Sequence, residues 1–365
     1  MKIIIVAGAR PNFMKIAPII HEIKASQKQG KHISYKLIHT GQHYDANLSG
    51  TFFDELGIPK PDINLSAHSG TQAEQTGAIM TGFEKVLQEN PTDLVLVVGD
   101  VTSTMACTIV AKKAHVAVAH VEAGIRSGDL KMPEEINRMV TDSITDYFFT
   151  TSALATQNLI ALGTDKESIF FTGNVMIDTL KKNIPSLKKP VFWDDLSLSN
   201  KNYFVLTLHR PSNVDQLGPF SELLSLIVKK SNGLPIVFPV HPRTQKILKN
   251  ANLTFKNLHY VSPQGYLSFI YLIKNSKAIF TDSGGITEEA SVLDVPCITF
   301  RDSTERPETC ELGTNMLVGN DVDKINKAFS LLDNNSWQKG QEIPRWDGKA
   351  ARRIVDHLLK IYGEE

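Results

Sequence analysis

The chain has 365 residues, and its 39 basic and 39 acidic side chains give a formal net charge of zero. With 42% hydrophobic and 21% charged residues, it has the composition of a folded protein, so a disordered chain is excluded. No block of like charge is present, which argues against nucleic acid or an anionic membrane as a partner. A single hydrophobic core rarely supports this length, so two domains are expected.

The longest apolar runs, such as Leu94–Val98, are far shorter than the roughly 20 residues of a bilayer-spanning helix. The apolar run after Lys2 ends at Gly8 and is typical of a first β-strand rather than of a signal peptide. The cysteines are scattered and form neither a disulfide framework nor a CxxC motif: Cys107, Cys297 and Cys310. We therefore expect a cytoplasmic protein that contacts no membrane.

Short apolar runs alternate with segments of helical periodicity along almost the whole chain. The first half contains six predicted strands, at residues 2–7, 33–39, 93–98, 115–121, 146–151 and 168–172. The second half contains five, at residues 203–208, 235–240, 257–261, 277–281 and 295–300. Many of them are apolar throughout, as strands covered on both faces are. This pattern predicts an α/β fold with parallel sheets of the doubly wound type.

The strand series restarts near residue 200, after a polar connection from Lys181 to Asn202. We therefore predict two Rossmann-like domains, one of residues 1–178 and one of residues 179–349. The last segment, residues 350–363, has an apolar stripe at helical spacing and is expected to pack back on the first domain.

Charged and imidazole side chains collect where the predicted strands end. These positions include Gly8-Ala9-Arg10, Gly41-Gln42-His43, Gly99-Asp100, Glu122-Ala123-Gly124, His209-Arg210, His241-Pro242-Arg243, Asp282-Ser283-Gly284-Gly285 and Arg301. Loops are polar in any protein, but ordinary loop polarity does not repeat Asp, Glu, His and Arg at each strand end. Because open α/β sheets bind ligands outside the carboxyl ends of their strands, this placement predicts a functional cleft.

The turn Ser283-Gly284-Gly285 opens a predicted helix, and glycines there let backbone N–H groups approach an anion. Glu289, one turn further on, suits either a ribose diol or a solvated helix face. Four cations at strand ends suit the charge of a diphosphate: Arg10, Lys15, Arg301 and Arg306.

No GxGxxG follows the first strand and no GxxxxGK[ST] occurs, so neither a dinucleotide cofactor nor a P-loop is indicated. His115 and His120 are five residues apart on one strand and therefore face opposite ways, which disfavours a metal pair. We expect neither a cofactor nor a metal. Glu134, Asn137 and Arg138 share one helix face after Pro133, and the alternative there is an ordinary surface ion pair.

Over nearly its full length the chain resembles the non-hydrolysing UDP-N-acetylglucosamine 2-epimerases. The motifs that carry the resemblance are Gly8-Ala9-Arg10-Pro11 with Lys15, Thr40-Gly41-Gln42-His43, Val98-Gly99-Asp100, His120 to Arg126, Pro133 to Arg138, Gly173-Asn174, Leu208-His209-Arg210, Asp282 to Gly285 and Thr304 to Pro307. The resemblance implies a glycosyltransferase-B fold, with two Rossmann-like domains facing across a cleft, and a homodimer. It implies interconversion of UDP-GlcNAc and UDP-ManNAc for cell-surface polysaccharide synthesis.

A sugar C2–H is not acidic, so its inversion needs an oxidised neighbour or a leaving group, and the missing glycine fingerprint disfavours oxidation. The remaining route is loss of UDP to a glycal, followed by re-addition, with acid/base groups and cations at hand. By similarity, the catalytic residues are Asp100, Glu122, Glu134, Arg138 and His209. By similarity, the UDP-binding residues are Arg10, Lys15, Gln264, Phe269, Ser283, Gly284, Gly285, Glu289 and Arg306; of these, Glu289 holds the ribose, and Gln264 and Phe269 border the uracil.

Two departures from the family pattern leave alternatives open. Gln42-His43-Tyr44-Asp45 and Ser69-Gly70-Thr71 differ from the motifs of a second, regulatory UDP-GlcNAc site, so activation through that site stays open. The short loop from Gly128 to Pro133 resembles epimerases of UDP-diacetamido-uronic acids, which is an alternative substrate. Three other functions stay open: a hydrolysing 2-epimerase that releases ManNAc and UDP, a retaining glycosyltransferase, and a catalytically silent UDP-sugar sensor.

Overall fold

The computed structural model describes residues 1–42, 53, 55–67, 70–240, 242–251 and 253–363. The chain forms two compact units, one of Met1–Lys182 with Pro344–Glu365 and one of Asn183–Ile343. Each unit contains a parallel sheet with helices between its strands, so the predicted doubly wound α/β class is confirmed. No helix in these ranges combines the length and apolar character needed to cross a bilayer.

The strands of the first unit are β1 (Lys2–Ala7), β2 (Ser34–His39), β3 (Ile63–Asn64), β4 (Leu94–Val98), β5 (Ala117–Ala123), β6 (Tyr147–Thr150) and β7 (Ile169–Phe171). They lie in the order β3-β2-β1-β4-β5-β6-β7, and all neighbouring strands run parallel. The strand order reverses at β1, which is where sheets of this type bind ligands. Every residue of β4 is buried, because helices cover both faces of the sheet.

The helices that accompany these strands include α1 (Arg10–Lys28), α2 (Gln72–Glu89), α3 (Thr102–Lys113), α4 (Pro133–Ile144), α5 (Ala153–Ala161) and α6 (Val175–Asn183). A short 3₁₀ turn, Lys166–Ser168, precedes β7, and a second one, Ile184–Ser186, lies at the start of the second unit. Phe83 of α2 is completely buried against the sheet, within a core that includes Val95 and Val97.

The second unit repeats the plan with six strands: β8 (Phe204–Thr207), β9 (Ile236–Pro239), β10 (Leu258–Val261), β11 (Ala278–Thr281), β12 (Cys297–Thr299) and β13 (Asn315–Leu317). They form a parallel sheet in the order β10-β9-β8-β11-β12-β13. Its helices are α7 (Pro211–Val214), α8 (Leu217–Lys230), α9 (Pro242–Ala251), α10 (Tyr266–Asn275), α11 (Gly284–Val292), α12 (Glu308–Glu311) and α13 (Val322–Asp333). Aromatic rings fill the core, with the Phe280 and Phe329 centroids 5.2 Å apart.

The sequence pattern did not predict β3 or β13. Both lie at a sheet edge and pair with one neighbour only, over two and three residues respectively. Such short edge strands are too brief to produce a recognisable apolar run, so the register with β2 and β12 decides their conformation.

The chain returns to the first unit at Pro344, before its last helix, α14 (Ala350–Ile361), begins. Arg345 Nη1 donates to the Phe171 carbonyl at 2.5 Å, and Trp346 Nε1 donates to the Thr151 carbonyl at 3.2 Å. These bonds anchor the segment ahead of α14, which itself packs on α1. The return therefore starts earlier than the helical stripe at residues 350–363 indicates.

Asp178 caps the N-terminus of α14 through hydrogen bonds. Its carboxylate accepts the backbone N–H groups of Ala350 at 3.1 Å and Ala351 at 2.7 Å, which the first turn of a helix otherwise leaves unpaired. Burial raises the pKa of Asp178 to about 6, although the two N–H groups oppose that rise. The contact joins residues more than 170 positions apart.

We expect Asp178→Ala to lower the free energy of unfolding by about 2 kcal/mol, because two buried N–H groups lose their acceptor. Urea denaturation followed by circular dichroism measures the change. Asp178→Asn is the matched control, since its amide oxygen still accepts one N–H, and its loss is expected to be less than half as large. An Ala variant as stable as the unmodified protein contradicts this role.

Candidate active site

Asn12 holds the turn between β1 and α1 against the end of β4. Its Oδ1 accepts the N–H groups of Gly8 and Ala9 at 3.0 Å each, and its Nδ2 donates to the Val98 carbonyl at 3.1 Å. The side chain is buried, so these bonds satisfy polar groups that have no access to water. Sequence reasoning assigned Asn12 no role, since nothing in the local pattern reveals its partner 86 residues away.

Glu122 sits in a β-bulge at the end of β5. The pairing with β6 shifts between Val121 and Ala123, so Glu122 is the extra residue. Its φ of +78° lies in the left-handed region that side chains other than glycine rarely adopt. Bulges of this kind redirect a side chain and are common beside active sites. The strain therefore accompanies an unusual placement of the carboxylate.

The Glu122 carboxylate forms an ion pair with Lys15 Nζ, and each side chain is only 11% exposed. Gly99, which has φ of +68°, lies directly beneath the pair. A Cβ atom at this position would lie 2.8 Å from Nζ and 3.4 Å from Oε2. The positive φ therefore favours glycine directly after β4, and the absence of a side chain there leaves space for the two charges.

Asp100, at the end of β4, is held by α4. Arg138 Nη2 donates to Asp100 Oδ2 at 2.5 Å, and Asn137 Nδ2 donates to the Asp100 carbonyl at 2.8 Å. The Arg138 side chain is buried, whereas that of Asp100 is 29% exposed. Since β4 and β5 are neighbours, with Val98 opposite Val121, two carboxylates with cationic partners lie at the carboxyl ends of adjacent strands.

The acid that pairs with Arg138 within α4 is Glu135, so the alternative of a surface pair with Glu134 is wrong. Arg138 Nη1 donates to Glu135 Oε2 at 2.7 Å, and Glu135 also accepts the N–H groups of Ser127 at 2.9 Å and Gly128 at 3.0 Å. Burial alone would raise the pKa of Glu135, but these hydrogen bonds hold it below its usual value. Glu134 is half-buried on the first turn of α4.

A completely buried imidazole supports the turn that carries Asp100. His120 Nε2 donates to the Gly99 carbonyl at 2.8 Å, and Nδ1 lies 2.7 Å from Asp142 Oδ1. Asp142 also accepts Arg126 Nη1 at 2.6 Å. Burial would raise the pKa of Asp142, but His120 and Arg126 hold it below its usual value.

In the second unit, Asp282 joins the ends of β8 and β11. Its Oδ1 lies 2.8 Å from His209 Nδ1, and its Oδ2 accepts the N–H groups of His209 at 2.9 Å and Arg210 at 2.8 Å. Asn213 Nδ2 bridges Asp282 Oδ2 and the Phe300 carbonyl, at 3.1 and 3.2 Å. Burial alone would raise the pKa of Asp282, but the hydrogen bonds from His209 and Arg210 hold it below its usual value. The buried carboxylate thereby fixes the orientation of the His209 ring, which is 41% exposed.

Ser283, Gly284 and Gly285 form the N-terminus of α11, as predicted for an anion-binding turn. Ser283 is the N-cap residue, and its side chain makes no capping hydrogen bond. The first N–H groups of α11 therefore keep their capacity to donate to a ligand.

Acidic residues of α11 face inward. Glu288 pairs with Arg306 Nε, and both side chains are at most 5% exposed. Glu289 is 4% exposed, so the alternative of a solvated helix face is wrong. Burial, together with the charge and hydrogen bond of Glu289, raises the pKa of Tyr266 well above its usual value. The Glu289 carboxylate thus lies against the start of α10.

Of the remaining predicted site residues, Gln264 and Phe269 lie at or within α10, and the Arg10 side chain is not among those that the structure describes. Gln264 precedes α10, and its Nε2 donates to the Ser262 carbonyl at 2.7 Å; Phe269 is half-buried within α10. Arg10 begins α1, but its side chain and residue His43 lie outside the described part of the chain. No group of three His, Cys, Asp or Glu side chains within the described ranges is arranged to hold a metal ion.

These contacts give each unit a distinct chemical capacity. The first unit brings together Lys15, Asp100, Glu122 and Arg138, a set of carboxylates suited to proton transfer and cations suited to negative charge. The second unit joins an oriented imidazole to a helix N-terminus and buried arginines, which suits a phosphate ester.

Comparison with known proteins identifies relatives along the whole chain. A family model described as UDP-N-acetylglucosamine 2-epimerase matches residues 25–359. The UDP-N-acetylglucosamine 2-epimerase of Methanocaldococcus jannaschii is 41% identical over 375 aligned positions, which cover 100% of both chains. A UDP-2,3-diacetamido-2,3-dideoxy-D-glucuronate 2-epimerase of Pseudomonas aeruginosa is 38% identical and covers 99% of this chain and 100% of its own.

Solved structures agree with this result. The crystal structure of the M. jannaschii UDP-GlcNAc 2-epimerase in complex with UDP-GlcNAc and UDP matches with a TM-score of 0.88 and 41% identity, covering 99% of this chain and 100% of that one. A lipopolysaccharide outer core galactosyltransferase, WaaB, matches with a TM-score of 0.55 at 13% identity over 99% of this chain and 100% of its own, and shares the fold alone. These matches confirm the predicted glycosyltransferase-B fold. With a family model that spans most of its length and a relative 41% identical from end to end, the chain belongs to the UDP-N-acetylglucosamine 2-epimerase family.

Proposed function

We propose that the protein interconverts UDP-GlcNAc and UDP-ManNAc by inverting C2 of the sugar. One observation carries the proposal: in a member of this family, buried or half-buried carboxylates with cationic partners end the adjacent strands β4 and β5. Inversion at C2 requires proton removal and proton return, and closely placed carboxylates supply both.

The reaction proceeds in two steps, elimination of UDP and its re-addition. In the first, a carboxylate takes the C2 proton while the C1–O bond breaks, so that UDP leaves with the electron pair and a glycal forms. In the second, a UDP oxygen attacks C1 while a carboxyl group returns a proton to the opposite face of C2. Negative charge grows on the diphosphate as the bond breaks, and fixed cations stabilise that charge.

We assign the proton transfers to Asp100, Glu122 and Glu134. Arg138 holds Asp100 in place and balances its charge, and Lys15 does the same for Glu122. A buried carboxylate retains its position and charge only with such a partner. Both assigned cations also suit the developing charge of the departing diphosphate.

We assign the nucleotide to the second unit. The N-terminus of α11, at Ser283, Gly284 and Gly285, binds the diphosphate together with His209, which Asp282 orients. Arg10 and Arg306 complete the phosphate contacts. Glu289 holds the ribose, and Gln264 and Phe269 border the uracil.

We further propose a homodimer that acts in the cytoplasm. Three apolar side chains on and before α4 are exposed, which supports an interface there: Leu130 at 64%, Ile136 at 44% and Met139 at 45%. Free thiols at Cys107, Cys297 and Cys310 suit a reducing compartment. Light scattering coupled to size exclusion measures the mass of the particle, and a monomer contradicts the proposed dimer.

Incubation with UDP-GlcNAc in heavy water tests the reaction. We expect deuterium at C2 of a mixed UDP-GlcNAc and UDP-ManNAc pool, detected by NMR without added NAD or metal, because the proton exchanges with solvent while the glycal exists. Free ManNAc as the main product would instead indicate a hydrolysing enzyme. If UDP-GlcNAc shows no exchange at C2 but a UDP-diacetamido-uronic acid does, the uronic acid is the substrate.

Conservative substitutions test the two carboxylates. We expect Asp100→Asn and Glu122→Gln to remain folded but to exchange C2 deuterium roughly 10²- to 10⁴-fold more slowly, since an amide cannot take up the proton. Glu84→Gln, an exposed position on α2, is the matched control and is expected to exchange at the normal rate. Near-normal exchange in both site variants would refute the assigned roles.

A further inference from the structure

Arg301 lies just after β12 and is almost completely buried, with 6% of its side chain exposed. One side of its guanidinium pairs with Glu305, where Nη2 donates to Oε2 at 2.6 Å. The other terminal nitrogen, Nη1, is buried and has no hydrogen-bond partner among the described residues. The proposed function does not assign this residue a role.

Such an arrangement is costly in a protein without a ligand. Buried N–H groups nearly always have a partner, and one left unpaired costs the free energy of its desolvation, more so when the group is charged. The pair with Glu305 balances the charge of Arg301 but leaves the donors on Nη1 unused. A negatively charged ligand that reaches Nη1 would use them.

The position of Nη1 indicates which ligand that is. A Cβ atom built on Gly284 would lie 3.3 Å from Arg301 Nη1 and 2.8 Å from Glu305 Oε1. The unused donor thus lies beside the first residue of α11, whose N-cap Ser283 makes no side-chain cap. Backbone N–H groups, the positive end of the helix dipole and a guanidinium edge converge on one place.

We propose that Arg301 binds the diphosphate of the UDP-sugar through Nη1, beside Gly284. This inference rests on the proposed function and adds a residue to the phosphate contacts assigned above. Glu305 acts as a positioning residue, because it fixes the planar guanidinium before the ligand arrives. Gly284 keeps the approach to Nη1 open, since any larger side chain would fill it.

Calorimetric titration of Arg301→Gln with UDP and with uridine tests the proposal. We expect UDP to bind roughly 10- to 100-fold more weakly, the loss typical of a charged hydrogen bond, while uridine, which has no phosphate, binds as before. Arg352→Gln is the matched control, because it removes the same charge from an exposed position in the first unit and is expected to change neither affinity. Thermal unfolding verifies that each variant is folded.

Arg301→Lys gives a second measurement, since lysine keeps the charge and most of the volume. A single ammonium cannot pair with Glu305 and reach the diphosphate in the same way. We therefore expect UDP to bind roughly 3- to 10-fold more weakly and uridine to bind as before. Unchanged UDP affinity in the folded variants overturns the proposal, as does an equal loss for UDP and uridine, which indicates a structural role only. If the unmodified protein neither binds UDP nor exchanges C2 deuterium, the proposed function fails instead.

Discussion

The ion pair between Lys15 and Glu122 is the interaction on which the first unit's site depends. At Glu122, β5 departs from regular pairing, and this residue with its bulge and positive φ pairs with Lys15 of α1. Gly99 leaves room beside the pair, and His120 Nε2 donates to the Gly99 carbonyl. A backbone distortion, a missing side chain and a buried imidazole thus cooperate to place one carboxylate.

The second unit follows the same electrostatic rule with different partners. Its hydrogen-bond donors near the strand ends lie against carboxylates of their own unit: His209 against Asp282, Arg301 against Glu305 and Arg306 against Glu288. Buried charges need such partners, and the partners also fix the orientation of each donor. If a diphosphate binds at α11 as proposed, it meets donors already in position, so few side chains have to be ordered on binding.

The sequence predicted the described strands other than β3 and β13, the parallel doubly wound class and the polar residues at strand ends, because buried parallel strands leave continuous apolar runs. It did not predict the partners of those residues. Glu135 rather than Glu134 pairs with Arg138, and Asn12 and Asn213 bridge strand ends far apart in the chain. Such contacts depend on how helices dock on a finished sheet, and a single sequence holds no signal for that register. Edge strands such as β3 and β13 were too short to see.

The return of α14 to the first unit affects the order in which a newly made chain can fold. Residues Met1–Lys182 of the first unit precede the second unit in the chain, whereas α14 follows it, so α14 is synthesised after the second unit. Until then, Asp178 lacks the hydrogen bonds from the N–H groups of Ala350 and Ala351, and the face of α1 that α14 covers is exposed to solvent. The second unit, by contrast, is continuous and has every residue it needs beforehand. The first unit therefore cannot be completed until the second unit has been synthesised.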